Sequence, residues 1–167
     1  MLGVQPGQQQ DDPIAFSEKI SEATRSKTTD HFMVIARIES LMLGSGMHDA
    51  LTRAETYLQA GADGIMIHSK RKDASEILEF ASEYRKWQTD RPLVVVPTTF
   101  NREYEETLIN AGANIIIYAN HLLRASYPAM LKVATEILEN GRSYECEGKL
   151  MPLSEILHFV PGVTKRD

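Results

Sequence analysis

Four short apolar runs recur along the chain and place the strongest limit on its fold. They lie at residues 32–37, 64–68, 93–96 and 115–119. Each run is too short for a helix, is rich in residues that favour strands, and is apolar at successive rather than alternate positions. Continuous apolar runs are typical of strands buried on both faces, as in parallel sheets that are covered by helices.

Segments with apolar residues at helical spacing separate these runs. They cover residues 14–23, 48–60, 77–87, 101–111 and 121–139, and Pro128 is expected to bend or break the last of them. Asp11 or Asp12 is expected to cap the first helix, with Pro13 at its first position, and residues 41–47 are interpreted as a loop. The first three runs begin about 30 residues apart, which is the length of a βα unit. The order therefore predicts an α/β protein with four parallel strands and right-handed crossovers.

One stretch of the sequence repeats. Residues 58–67 resemble residues 109–117, and both are interpreted as a helix end, a glycine turn at Gly61 or Gly112, a small residue and a buried strand.

Length and composition exclude several classes of protein. The 167 residues suffice for one domain, whereas a complete eight-stranded barrel needs about 250. The net charge of −5 argues against a nucleic-acid partner, and the apolar runs are too short for a membrane span of about 20 residues. The single Cys146 favours the cytoplasm. We expect a flexible lead-in at 1–13, one folded region at 14–160 and a tail at 161–167.

Polar residues follow each predicted strand, at the edge of the sheet where parallel α/β proteins bind ligands. They include Arg37 and Glu39, then His68, then Thr98, and finally Asn120. A guanidinium, an imidazole, a hydroxyl and an amide together suit a small anionic substrate with carboxylate or phosphoryl oxygens. Two alternatives stay open: Glu39 as the ion-pair partner of Arg37, and His68 as an ordinary hydrogen-bonded residue at a strand end.

Familiar catalytic motifs are missing from the sequence. It contains no GxGxxG, no GxxxxGK loop, no GxSxG and no HExxH, which argues against dinucleotide binding and serine-hydrolase chemistry. No group of residues has the spacing of metal ligands, so no metal-binding residue is predicted.

Several stretches, read in order, are similar to a known family. They are Val34–Ser40, residues 53–63, Ile67–Lys70, residues 95–98 and Tyr118–Ala125. In sequence and spacing they resemble the phosphoenolpyruvate mutase family from about residue 14 to residue 160. The Ala-Arg-x-Glu pattern around Arg37 is shared with the wider isocitrate lyase superfamily.

The resemblance implies the second half of a (β/α)8 TIM-type barrel. It also implies Mg²⁺ dependence, interconversion of phosphoenolpyruvate and phosphonopyruvate, and homo-oligomers built through the C-terminal helices. By position, Arg37 resembles the family's arginine that holds substrate carboxylate or phosphoryl oxygens. His68 resembles the histidine that contacts the phosphoryl group. The strand-end position adds Glu39, Thr98 and Asn120 as substrate-binding candidates.

The sequence departs from the family in one large respect. The family's magnesium-binding carboxylates and gating loop lie in the first half of the barrel, and Asp11 and Asp12 do not match those ligands. We therefore expect this chain alone not to catalyse the reaction. Three alternatives stay open: phosphonopyruvate hydrolase, a carbon–carbon lyase of the isocitrate lyase type, or a non-catalytic half-barrel that assembles or binds a protein partner.

Overall fold

The structure, a computed structural model, describes residues 6–159. It divides into two compact units, the first reaching Ala119 and the second beginning at Asn120. The predicted tail at 161–167 and the first five residues of the predicted lead-in lie outside the described residues. Between residues 6 and 159, no helix combines the length and the apolar character that crossing a membrane requires.

A four-stranded parallel sheet forms the centre of the first unit. Its strands are β1 (Ile35–Ile38), β2 (Gly64–Ile67), β3 (Leu93–Val95) and β4 (Ile115–Ile116), and they lie in sequence order. β1 begins three residues later than the apolar run that predicted it, because pairing starts where Ile35 meets Gly64 and Phe32 and Met33 remain exposed. The prediction of an α/β fold with four parallel strands is confirmed.

Seven α-helices accompany the strands in the described residues. The first unit contains α1 (Pro13–Arg25), α2 (Ser40–Leu43), α3 (Gly46–Gln59), α4 (Ser75–Lys86) and α5 (Glu105–Asn110). The second unit contains α6 (His121–Asn140) and α7 (Leu153–Ile156), with 3-10 turns at Glu147–Lys149 and Leu157–Phe159.

Four details differ from the predicted elements. The apolar run at 115–119 forms a strand only at Ile115–Ile116, and this edge strand is not buried, since Ile115 is 40% exposed. Part of the expected loop at 41–47 forms the short helix α2, which ends at Gly44 in a left-handed conformation. The helix expected from residue 101 begins only at Glu105. α6 is continuous through Pro128, so no break occurs there. A proline removes one N–H from the ladder, and the flanking hydrogen bonds suffice to continue this helix.

The first helix begins as its sequence predicts. Asp12 is its N-cap, and the Asp12 carboxylate accepts hydrogen bonds from the N–H groups of Ile14 and Ala15 at 2.9 and 3.0 Å. Pro13 occupies the first turn, where its missing N–H costs nothing.

The hydrophobic core of the first unit involves one face of the sheet. Ala36 and Ile38 of β1, Ile65 and Ile67 of β2, and Leu93 and Val95 of β3 all belong to one buried cluster with the helices. They alternate with residues of the opposite face, because successive side chains of a strand point to opposite sides. Arg37 and Met66 therefore lie on the face that does not join this cluster.

The sequence repeat is also a structural repeat. Gly61 and Gly112 have φ values of 98° and 112°, which only glycine adopts readily, and each ends a helix just before a strand. In both copies, the side chain two residues after the glycine accepts a hydrogen bond from a backbone N–H at or just before the start of the neighbouring strand. Asp63 accepts from the Val34 N–H at 2.7 Å, and Asn114 accepts from the Leu93 N–H at 2.9 Å. The two copies therefore fix adjacent strands in the same way.

Gly64 is required for a different reason, which is space. A Cβ atom at this position would lie 2.7 Å from the carbonyl oxygen of Pro92 and 2.8 Å from Cδ1 of Ile35. The first residue of β2 can therefore pass between its two neighbouring strands only as glycine.

We expect the Asp63 contact to make stability depend on pH. Burial by itself raises the pKa of Asp63. The hydrogen bond from the Val34 N–H and the ion pair with Lys27 at 2.9 Å outweigh burial, so the pKa lies below its ordinary value of 3.8. A lowered folded-state pKa gives stability that is complete above the unfolded pKa and is lost as the pH falls. Asp63→Asn should therefore cost about 2 kcal/mol at pH 7.

Urea denaturation at a series of pH values tests this. The difference in free energy of unfolding between the wild type and Asp63→Asn should decrease steadily below about pH 4. Asp30→Asn, at an exposed position, serves as the control. A gap that is constant with pH would contradict the assignment.

Candidate active site at the strand ends

Arg37 lies on β1 and faces away from the hydrophobic core. Its side chain is 46% exposed, and Nη2 forms an ion pair with the Glu39 carboxylate, whose side chain is 20% exposed. The ion-pair alternative for Glu39 is therefore what the geometry shows. An exposed guanidinium with a single carboxylate partner keeps N–H groups available for a second anion, since arginine has five such donors.

His68 follows β2 directly and is fully buried. Neither ring nitrogen, Nδ1 nor Nε2, has a hydrogen-bond partner among the described residues. Burial, and secondarily the positive charge of Arg37, lower the pKa of His68 to about 4. The imidazole is therefore neutral near pH 7, with one nitrogen carrying a proton and the other able to accept one.

The strand register explains why Arg37 and His68 interact. Arg37 pairs with Met66, so their side chains lie on the same face, and His68 comes two residues after Met66. The influence of the Arg37 charge on the pKa of His68 agrees with this placement. The structure thus places a cation beside a buried imidazole whose polar atoms lack partners, which is an unusual arrangement unless a ligand completes it.

The loop after β2 is well anchored. The Ser69 hydroxyl is buried and donates to the Glu76 carboxylate of α4, and the Thr99 hydroxyl donates to the Ser69 carbonyl oxygen at 2.8 Å. These bonds hold the backbone immediately after His68 to the loop that follows β3.

The other two predicted site residues share one feature, a buried side-chain oxygen that has no hydrogen-bond partner among the described residues. Thr98 follows β3, the neighbour of β2, and the atom is its hydroxyl oxygen. Asn120 belongs to the second unit and precedes α6, and the atom is Oδ1; its backbone carbonyl oxygen accepts from the Arg124 N–H at 2.9 Å. Binding of substrate by Thr98 and Asn120 stays a prediction.

A cavity of about 150 Å³ adjoins Arg37, and its lining includes residues that the sequence did not indicate as site residues. Besides Arg37 and Glu39, its walls include Gln9, Gln10, Asp11 and Arg53. The first three fall in the predicted flexible lead-in, yet this part is anchored by hydrogen bonds to α3. That residues 1–13 are flexible stays a prediction. The hydrogen-bond partners of Gln10 and Asp11 lie about 40 positions away in the sequence, where no local pattern could indicate them.

We tested whether the described residues fit a magnesium ion. A hard divalent cation needs several oxygen ligands, and nowhere in residues 6–159 do three or more His, Cys, Asp or Glu side chains come together to hold a metal. Glu39, the carboxylate nearest Arg37, is already paired with it. The site formed by the described residues does not by itself fit Mg²⁺.

Comparisons with known proteins identify relatives of this chain. The family model described as phosphoenolpyruvate phosphomutase matches residues 3–138. A phosphoenolpyruvate phosphomutase of Tetrahymena pyriformis is 36% identical over 154 residues, which are 92% of this chain and 50% of that protein. The chain therefore spans about half the length of the curated relatives it matches.

Solved structures show the same similarity. A phosphoenolpyruvate phosphomutase from Streptomyces platensis subsp. rosaceus is 35% identical with a TM-score of 0.81, over 95% of this chain and 53% of that one. A phosphonopyruvate hydrolase in complex with oxalate and Mg²⁺ is 34% identical with a TM-score of 0.77, over 93% of this chain and 55% of that one.

Titration of His68 checks the electrostatics of the site. Proton NMR of the imidazole should give a midpoint of about 4. Arg37→Met should raise that midpoint because it removes a neighbouring positive charge, while Arg25→Met, on the exposed surface of α1, should leave it unchanged. The signal is assigned from its loss in His68→Asn. A midpoint near 6.5 in the wild type would contradict the burial of this side chain.

Proposed function

The chain belongs to the phosphoenolpyruvate phosphomutase family, and on this premise we propose that its strand-end site binds the anionic groups of phosphoenolpyruvate and phosphonopyruvate for their interconversion. One observation carries the proposal: His68 is fully buried, its ring nitrogens have no hydrogen-bond partner within residues 6–159, and it lies on the same face of the sheet as the Arg37 guanidinium. Because the chain matches about half of its relatives' length, the activity of the whole enzyme is part of the proposal.

Arg37 supplies the fixed positive charge. Both substrates carry a carboxylate and a phosphoryl group, and a planar guanidinium can bond two oxygens of either group at once. The Glu39 carboxylate orients this guanidinium through the ion pair. We assign Arg37 to substrate oxygens and Glu39 to the orientation of Arg37.

His68 supplies a neutral hydrogen-bond donor. With a pKa of about 4 it holds one ring proton at pH 7, and that N–H can bond a phosphoryl oxygen. Such a bond would give the buried nitrogen a partner that it does not find among the described residues. The Thr98 hydroxyl, whose buried oxygen likewise has no partner in the described part of the chain, is proposed as a further contact from the next strand.

The proposed reaction needs positioning more than acid–base catalysis. In the direction from phosphonopyruvate, the carbon–phosphorus bond breaks, an oxygen–phosphorus bond forms, and the ketone becomes an enol ester. No atom is gained or lost. Fixed donors that stabilise charge on the phosphoryl oxygens during transfer are the main contribution that this chain's residues can make.

Magnesium enters the proposal only through the family. The hydrolase that resembles this chain was solved with oxalate and Mg²⁺, and a magnesium ion would add positive charge near the substrate oxygens. The described residues do not form such a site, so we assign no ligand and no step to the metal.

Hydrolysis of phosphonopyruvate is the second candidate function. It is favoured by the similarity to a solved phosphonopyruvate hydrolase at 34% identity, close to the 35% of the mutase. The same anion-binding residues would serve both reactions, and admission of water to the phosphoryl group would separate them. We propose action in the cytoplasm for either reaction, which the single cysteine supports.

Phosphorus NMR of phosphonopyruvate incubated with Mg²⁺ and the full-length native protein tests the proposal. Phosphoenolpyruvate as product indicates the mutase, and inorganic phosphate indicates the hydrolase. Arg37→Ala should lower kcat/KM about 100-fold through loss of transition-state charge stabilisation. Arg25→Ala, a matched arginine on the surface of α1, should retain full activity.

Two results would contradict the assignment. Normal turnover by Arg37→Ala would remove the proposed role of that residue. If the wild type forms neither phosphoenolpyruvate nor inorganic phosphate, the result would favour the carbon–carbon lyase or the non-catalytic alternative.

We also propose that the protein self-associates. β1 and β4 are the edges of the described sheet, and α6 has no buried residue and exposes Leu122 and Leu138 by 85% and 84%. Exposed sheet edges and apolar patches of this kind favour association.

Light scattering at micromolar concentration tests this proposal. It should give a mass of at least a dimer, and Leu138→Glu should shift the population toward monomer, whereas the exposed Lys132→Glu should do so less. A monodisperse wild-type monomer would disprove the proposal.

A further inference from the structure

The segment Gln9–Asp12 is attached to helix α3 by a network of side-chain hydrogen bonds. The Gln10 amide donates to the Asp49 carboxylate at 3.1 Å and to the Ser45 hydroxyl at 3.2 Å. The Gln10 carbonyl oxygen accepts from the Ser40 hydroxyl at 3.1 Å, and that hydroxyl also lies 2.7 Å from Asp49. One side chain of the segment is thus bonded to three residues that lie more than 29 positions further along the chain.

Arg53 attaches the backbone of the same segment. It is only 8% exposed, and its Nη1 donates to the Asp11 carbonyl oxygen at 2.9 Å and to the Tyr57 hydroxyl at 2.9 Å. Its Nε donates to Asp49 at 3.0 Å, so Asp49 receives bonds from both Gln10 and Arg53. Asp49 is the shared acceptor of the network, and burial of the Arg53 charge is compensated by this carboxylate.

The Asp12 cap fixes the other end of the segment. Since Asp12 is bonded to the first turn of α1, residues 10–12 are held at every position, by Gln10 to α3, by Asp11 to Arg53 and by Asp12 to α1. The segment has no regular secondary structure, so these contacts rather than a backbone ladder define its position.

The segment borders the cavity beside Arg37. Gln9, Gln10 and Asp11 line the same space of about 150 Å³ as Arg37 and Glu39. The network therefore connects α3, which contacts no substrate in the proposed function, to the surroundings of the arginine that does.

We propose that Gln10 and Arg53 are positioning residues that hold Gln9–Asp12 as a fixed wall of the Arg37 cavity and so limit access of anions to Arg37. The wall itself is independent of the proposed function, and only its effect on substrate binding rests on that function. A merely structural role, in which Arg53 and Asp49 stabilise α3 as an i, i+4 pair, predicts no link between Gln10 and Arg37.

Gln10→Glu tests the wall separately from the packing of α3, because residue 10 lies outside that helix. The substitution preserves size but places a carboxylate against Asp49, and like charges at hydrogen-bond distance repel. Gln59→Glu, an exposed position on the same helix as Asp49, adds the same charge and is the control. The double variant Gln10→Glu with Asp49→Asn removes this repulsion and leaves one carboxylate in the network, as in the wild type.

Two measurements on the full chain need no substrate. Amide hydrogen exchange at Ile14 and Ala15, whose N–H groups donate to Asp12 at the end of the segment, should quicken about tenfold in Gln10→Glu, since a charge-assisted hydrogen bond that holds the segment is lost. Modification of Arg37 by phenylglyoxal, mapped by mass spectrometry, should quicken about threefold as the wall loosens. Both rates should return toward wild type in the double variant and stay unchanged in Gln59→Glu.

Each outcome decides the proposal. Faster exchange together with faster Arg37 modification, both rescued, supports it. Unchanged exchange, faster exchange without any change at Arg37, or absence of rescue overturns it. Protection of Arg37 from phenylglyoxal by added phosphonopyruvate is a separate measurement. Absence of protection would count against the proposed function, whereas the proposal of a fixed wall would still be tested by the exchange and modification rates.

Discussion

The parallel pairing of β1 with β2 is the constraint on which the rest of the site depends. Because Arg37 pairs with Met66, the side chains of Arg37 and His68 lie on the face of the sheet opposite the cluster that includes Ile38 and Ile67. A shift of β1 by one residue in this register would turn Arg37 toward the core, while His68 would stay on the opposite face. Gly64, which passes within van der Waals contact of both neighbouring strands, allows this pairing to begin where it does.

That placement carries an energetic cost which is informative about function. A fully buried imidazole and a buried hydroxyl, His68 and Thr98, lack hydrogen bonds among the described residues, and buried polar atoms without partners are uncommon. Burial, and secondarily the positive charge of Arg37, lower the pKa of His68 and keep it neutral. An anionic ligand would compensate both the buried imidazole of His68 and the positive charge of Arg37, since it supplies acceptors to the imidazole and a counter-charge to the guanidinium. This is the physical reason for relating the geometry to the family's small anionic substrates.

Polar contacts between distant segments stabilise the elements around this site. Asp63 joins the start of β1 to Lys27 after α1, and Asp49 joins α3 to Gln10 before α1. In both cases a carboxylate is partly desolvated and compensated by donors from another segment, so its pKa is lowered rather than raised. The first unit therefore combines an apolar core on one face of its sheet with carboxylate-centred contacts at both ends of its first helix.

The sequence by itself determined the elements and their order: four strands at βα spacing, a helix start at Asp11 or Asp12 with Pro13 at the first position, and the glycine turns at Gly61 and Gly112. These features depend on neighbours within a few residues, where hydrophobic period, capping and φ preference act. It also indicated Arg37 and His68, because strand ends can be located from the apolar runs. Only the tertiary structure decided that Glu39 pairs with Arg37, that His68 has no hydrogen-bond partner within residues 6–159, and that Gln10 and Asp11 are hydrogen-bonded to α3. Those outcomes depend on which distant segments meet, and a hydrogen bond across 42 positions leaves no periodic signal in the sequence.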